Sequence, residues 1–159
     1  MTLQDHIKHK SAFGFEAPED SPGFLLWQTT IVWQRQIKKA LDAYDISHAQ
    51  FVVMAMVLWF EEHHQEPTQV AIARLSKLDQ MTVSKSLKKL VGQGYINREE
   101  SPKDTRAKCV HLTSEGKKLI SKLVPVVEGV DERFFRVLGQ NGQKTLIQLL
   151  NKLVTEMKE

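Results

Sequence analysis

Between residues 74 and 108 the chain carries nine lysines and arginines (Arg74, Lys77, Lys85, Lys88, Lys89, Arg98, Lys103, Arg106 and Lys108) against four acids. The whole chain has a net charge of only +3, so the residues outside this stretch are net negative. A local excess of cations of this kind suits a polyanion, although a solvated helix face has the same composition. Lys85 and Lys88 are flexible point charges that suit phosphate, the contact that supplies affinity. Among them stand Gln80, Met81, Thr82 and Ser84, whose amide, thioether and hydroxyls are of the types that read base edges or hold phosphate. A second cluster follows in SPKDTRAK, where Lys103, Asp104, Arg106 and Lys108 crowd behind a proline.

Other chemistries fit less well. The single cysteine, Cys109, excludes an internal disulfide and fits a reducing cytoplasm. His63 and His64 are adjacent, so on a helix they point about 100° apart and rarely share one ion. EEHH is not the H-E-x-x-H of a zinc enzyme. Gly92-Gln93-Gly94 follows no strand, which argues against a dinucleotide fingerprint. No nucleophile stands beside a general base, so neither an enzyme nor a metal or cofactor is expected. The longest apolar run, Phe51–Phe60, has 10 residues and is too short to span a bilayer. The polar N-terminus has no apolar core of signal-peptide type, so a cytoplasmic protein without membrane contact is expected.

The elements that would position the cations are legible from periodicity. Trp27, Ile31, Ile37, Leu41 and Tyr44 recur near helical spacing over Gly23–Tyr44. SHAQ then offers a capping box from Ser47 to Gln50. The helix it opens, about 48–63, is apolar on nearly every face and should lie centrally. A short helix over 68–76 leads into a turn with Asp79 as N-cap. MTVSKSLKKLVGQG reads as an amphipathic helix with Val83, Leu87, Leu90 and Val91 on one side and Met81, Lys85 and Lys88 opposite, ended by Gly92 and Gly94. YINREE and AKCVHLT are β-type runs forming a hairpin. Thr113 caps a long helix whose apolar positions Leu119, Leu123, Val127, Val130, Phe134 and Leu138 follow 4-4-3-4-4 spacing, with Pro125 expected to bend it. LGQNGQ reads as a break, and a last helix carries Leu146, Leu150, Leu153 and Met157. The fold class is mainly α with a small β-hairpin (α+β). A short helix, a turn, a second helix and a hairpin make up a winged helix-turn-helix.

In this order and spacing, Gly94-Tyr95-Ile96-Asn97-Arg98, Asp104-Thr105-Arg106 and Leu112-Thr113-Ser114-Glu115-Gly116 resemble the MarR family of winged helix-turn-helix transcription regulators. The resemblance covers roughly Phe24 to Lys158. It implies one domain over 1–159, with an N-terminal arm and dimerisation helix over 1–46. The winged lobe would occupy 47–113 and the C-terminal dimerisation helices 114–159. It implies a homodimer on double-stranded DNA, usually a repressor, gripping a pseudo-palindromic operator. By position Arg106 matches the arginine that this family inserts in the minor groove. Asp104 would support the wing by accepting backbone N–H bonds or pairing with Arg106. Lys103 and Lys108 are phosphate candidates, and Arg98 would brace the wing or touch the backbone. Relatives often bind small aromatic or anionic effectors where these helices meet the dimer helices. That makes Trp27, Trp33, Met56 and Trp59 a candidate ligand pocket, with ordinary core as the alternative reading. Two other functions stay open on the same residues, a winged-helix protein-interaction module without DNA binding and a redox- or metal-sensing relative.

Overall fold

A computed structural model describes residues 11–100 and 108–157. The helices are α1 (Pro22–Leu41), α2 (His48–Glu62), α3 (Gln69–Ser76), α4 (Gln80–Gly92), α5 (Ser114–Phe135) and α6 (Gly139–Glu156). Between α4 and α5 stand β1 (Ile96–Glu100) and β2 (Lys108–Leu112). The chain divides into two compact units, one ending at Arg35 and one beginning at Gln36, so α1 starts in the first and finishes in the second. Among the described residues no single helix is long and apolar enough to cross a membrane.

In the first unit the Asp20 carboxylate accepts the Ala17 N–H at 3.2 Å, and the Ser21 hydroxyl accepts the Phe24 N–H at 3.2 Å, which together start α1. Phe13, Phe15, Pro18 and Phe24 line an apolar hollow. Leu25, Leu26 and Trp27 on the first turns of α1 are exposed.

In the second unit α2 is the central element, as its all-round apolar composition predicts. Val53, Met54 and Val57 are fully buried, and the helix packs against α3, α4, α5 and β2. Each such side chain contributes about 1.5–3 kcal/mol by leaving water. The expected capping box is present, with Gln50 N–H donating to Ser47 Oγ at 3.1 Å and Ser47 N–H donating to Gln50 Oε1 at 2.9 Å. Gln50 is buried, and its Nε2 also donates to Gln93 Oε1 at 2.8 Å. Gln93 in turn donates to the Asp45 carbonyl at 3.2 Å. The start of α2 is thereby tied to the end of α4, and a buried amide has its partners.

The hairpin pairs Ile96 with Leu112 and Glu100 with Lys108 in antiparallel register. Strand β2 is held on its other edge too, because Val110 N–H donates to the Pro67 carbonyl at 2.9 Å and Thr68 bridges Cys109. That second neighbour is why Cys109 and Val110 are both buried where strict alternation would bury only one. Two carboxylates at the end of α2 and just beyond it add to the hold. Glu61 accepts the Leu112 N–H at 3.0 Å, and Glu66 accepts the Cys109 thiol at 2.7 Å.

Several boundaries differ from the periodic reading. Helix α1 ends at Leu41, and Asp42–Tyr44 is a 3-10 turn closed by Asp45 in the left-handed region at φ 53°. Val91 is 40% exposed and does not join Val83, Leu87 and Leu90, because it lies about 100° round the helix from Leu90. Ser86, on the opposite flank of that row, is buried instead. In α5 the buried row is Gly116, Ile120, Leu123, Val127 and Val130, while Leu119 is only half-buried and Leu138 lies exposed beyond the helix. The break precedes GQNGQ, in the 3-10 turn Arg136–Leu138, and Gly139 already opens α6. Helix α6 has no buried residue, and it leaves Ile147, Leu149, Leu153 and Val154 exposed, with Met157 exposed just beyond it.

Two stability predictions follow from these contacts. A Cβ at Gly116 would run into the Tyr95 carbonyl oxygen, whereas one at Gly92 meets nothing. Gly116→Ala should therefore lose about 1–3 kcal/mol in urea unfolding. Gly92→Ala, in an ordinary helical conformation, should be neutral or slightly stabilising. Burial in the first turn of α2 pushes the His48 pKa below its ordinary 6.5, outweighing the opposing pull of Asp131. The folded chain thus resists protonating His48 while the unfolded chain does not. Stability should be full above pH 6.5 and fall as the pH drops below it, and His48→Gln should flatten that slope in thermal melts.

Candidate nucleic-acid interface

Helix α4 begins at a strong cap. Asp79 Oδ1 accepts the Thr82 N–H at 2.7 Å, and Asp79 Oδ2 accepts the Thr82 hydroxyl at 2.7 Å. These bonds, the Thr82 hydroxyl's first and its backbone N–H second, hold the Asp79 carboxyl below its ordinary 3.8. Thr82, expected to bond bases or phosphate, has its hydroxyl proton committed to the cap and keeps its lone pairs for such a contact. The helix then shows two opposed rows. Val83, Leu87 and Leu90 are fully buried, and Met81, Lys85 and Lys88 stand opposite. Met81 is 68% exposed at the N-terminal end. Gln80 is exposed beside it, and Ser84 is half-buried at the margin.

Arg98 on β1 reaches across to α4, where its Nη2 donates to the Ser84 carbonyl at 3.2 Å. Lys108 is exposed at the start of β2. Lys85, Lys88, Arg98 and Lys108 form no ion pair with any described carboxylate. Three acids of this lobe are bound elsewhere, Asp79 in its cap and Glu61 and Glu66 on β2. The outward row is thus left as a positive face. Lys103, Asp104 and Arg106, expected at the tip of the hairpin, lie outside the described residues.

The structure brings together groups that sequence distance separates. Ser84, Arg98 and Lys108 share one cleft with Thr68 and Gln69 at the start of α3. Thr68 and Gln69 had no visible link to the cations in the sequence, since it is the pairing of the Pro67–Thr68 segment with β2 that carries them there. The candidate ligand residues fall on both units. Trp27, 65% exposed, and Trp33, half-buried, lie on α1 in the first unit. Met56 and Trp59 lie one turn apart on α2, and the Trp59 ring stacks on His63 at 4.0 Å. His63 Nδ1 lies 2.7 Å from the Trp59 carbonyl. Among the described residues no three His, Cys, Asp or Glu gather as a metal site.

The family described as ArnR1-like, winged-helix domain matches residues 42–130. The chain is 38% identical over 121 residues to the HTH-type transcriptional regulator YdcH of Bacillus subtilis, covering 76% of this chain and 82% of the relative. A MarR mutant from Escherichia coli complexed with operator DNA shares the fold at TM-score 0.72 and 24% identity, covering 82% of this chain and 91% of that one. So does Bordetella bronchiseptica BpsR, whose DNA binding is regulated by 6-hydroxynicotinic acid, at TM-score 0.79 and 22% identity over 89% of this chain and 98% of that one.

Removing the cap gives a direct check on α4. Asp79→Ala should lower the melting temperature near neutral pH, because two donors at the helix start lose their acceptor. The stabilisation is present above pH 3.8 and is lost as acid protonates the carboxylate in the folded chain. The gap between wild type and variant should therefore close on acidification, as read by circular dichroism across pH.

Proposed function

The chain belongs to the MarR family of winged helix-turn-helix transcriptional regulators, and from that premise we propose that it is a cytoplasmic, non-enzymatic repressor. It binds a pseudo-palindromic operator as a homodimer. The observation that carries this reading is the outward row of α4, where Met81, Lys85 and Lys88 stand opposite a fully buried row and, among the described residues, the two lysines pair with no carboxylate. Such a helix enters the major groove by its N-terminal end, bringing Gln80, Met81 and Ser84 to base edges while Lys85 and Lys88 neutralise phosphates. Arg106 enters the adjacent minor groove from the hairpin, where a narrow groove concentrates negative potential. Lys103 joins the phosphate contacts, and Asp104 supports the loop that aims Arg106.

In this reading residues 47–113 form the DNA-binding lobe, and residues 1–46 and 114–159 form the dimerisation regions. The exposed apolar positions of α6 support a second copy, because a row of this size is rarely left to water. A small aromatic or anionic effector, taken up near Trp27, Trp33, Met56 and Trp59, relieves repression. BpsR, which shares the fold, supports this part of the reading.

Selection from a random-sequence DNA pool tests the proposal. The recovered duplexes should contain inverted repeats with half-sites about one helical turn apart. Binding should fall steeply with salt as counterions are released. Arg106→Ala should cost roughly 1–3 kcal/mol per half-site with the melting temperature unchanged. Lys85→Ala should weaken all sequences more evenly. Sedimentation at micromolar concentration should give a dimer. Duplexes without an inverted repeat, together with a salt slope near zero, would sink the reading.

A further inference from the structure

The outward side of α4 has a centre, and the residue there is apolar. Leu90 lies about two and a half turns beyond Met81, so the two side chains point in opposite directions. Leu90 is fully buried. Met81 is 68% exposed, more than any other large apolar side chain described within residues 47–113. Isolated exposed apolar residues are common on protein surfaces, so exposure alone assigns nothing. Position is what distinguishes this one. Gln80 and Thr82 flank Met81 at about 100° on either side. Thr82 has both its N–H and its hydroxyl proton bonded to Asp79, and Ser84 is half-buried at the margin. Side chains of a helix lean toward its N-terminus. The Met81 thioether, on the second residue of α4, therefore projects toward the end proposed to enter the groove. Lys85 and Lys88 stand behind it on the same row.

We propose that Met81 reads a thymine, packing its thioether on the C5-methyl group in the major groove, so that each half-site of the operator requires a T·A pair at one position. The proposal rests on the DNA-binding reading above and adds to it which base the tip of α4 selects. The chemistry of the groove leaves one match. Adenine, guanine and cytosine present N–H donors and N or O acceptors along this edge, and the thymine methyl is the one protruding apolar group. A thioether set against the polar edges strips water from them and returns no hydrogen bond of comparable strength. Against the methyl, two apolar surfaces leave water together and no polar group is left unmatched. Methionine is unbranched, with three rotatable bonds and a polarisable sulfur, so it reaches the methyl without demanding one fixed helix depth. The lysines of the same row face phosphates, which fix register but carry no base information. Base selection at the centre of the row therefore falls to Met81.

The test removes methyl groups one at a time. In a duplex selected from the random pool, each thymine is replaced singly by deoxyuridine, which keeps the base pair and drops only the methyl. Wild type, Met81→Ala, Met81→Leu and Gln80→Ala are compared on each duplex at fixed salt. Wild type should lose about fourfold at one position per half-site, the size expected when one methyl group is no longer taken out of water. Met81→Ala should bind the parent duplex more weakly by at least that factor and lose nothing further at that position. At every other thymine it should respond as wild type does. Met81→Leu, close in volume, should keep the dependence, and so should Gln80→Ala. Both Met81 variants should melt as wild type does, because the side chain is exposed. Selection repeated with Met81→Ala should return half-sites that no longer favour thymine at that position and keep the rest. Identical deoxyuridine profiles for wild type and Met81→Ala overturn the thymine assignment while leaving DNA binding intact. So does a selected half-site that requires no thymine, or a methyl dependence that vanishes in Gln80→Ala but persists in Met81→Ala. Wild type that selects no duplex removes the DNA reading and the thymine assignment with it.

Discussion

One threonine hydroxyl closes the winged lobe. Thr113 Oγ1 donates to the Gly94 carbonyl at 2.6 Å and accepts the Gly116 N–H at 3.0 Å. Its own N–H donates to the Tyr95 carbonyl at 3.0 Å. A single residue thereby caps α5, ends β2, and pins the exit of α4 beside the entry of β1. The geometry holds only because Gly94 turns at φ 80° and Gly116 has no Cβ to meet the Tyr95 carbonyl. The angle between hairpin and helix is set here, and both proposed DNA-contacting elements hang from it.

Charge is divided in the lobe by what each ion touches. The carboxylates Asp79, Glu61 and Glu66 accept bonds from an N–H or a thiol and are used to hold structure. Lys85, Lys88, Arg98 and Lys108 pair with no carboxylate among the described residues. A chain with a net charge of only +3 can therefore present a strongly positive face. The division explains why total charge says little about a partner here. Exposed cations cost little in water, and Arg98 is the exception because its surroundings have withdrawn part of that water.

The central position of α2 links the remaining parts. It carries the buried side chains on which α3, α4 and α5 rest, and its last turn holds β2 through Glu61. Its first turn is tied to the end of α4 through Gln50 and Gln93. A shift of α2 along its axis would thus disturb the end of α4 and the hairpin together. Helix α6 is the opposite case. It packs chiefly on the turn before it, and its apolar positions are exposed.

Local chemistry was legible in the sequence by itself. The capping residues Ser47, Asp79 and Thr113 stand where their spacing predicts, because a cap is an interaction across three residues. The opposed rows of α4 were legible for the same reason, as were the hairpin and the ordered fragments that identify the family. Periodicity erred where neighbouring positions compete for one surface. Ser86 and Val91 flank the buried row of α4 on opposite sides, and Leu119 and Ile120 differ by only about 100° in direction, so only the packed partner decides which is covered. The 3-10 turn Asp42–Tyr44 carries Tyr44 at a spacing that reads as helix, so periodicity alone did not mark where α1 ends. What tertiary structure alone decided is the company that distant residues keep. Cys109 meets Glu66, and Ser84, Arg98 and Lys108 meet Thr68 and Gln69, across tens of residues of chain. No local rule encodes such meetings, since they arise from the second pairing edge of β2 and from the way α2 holds it.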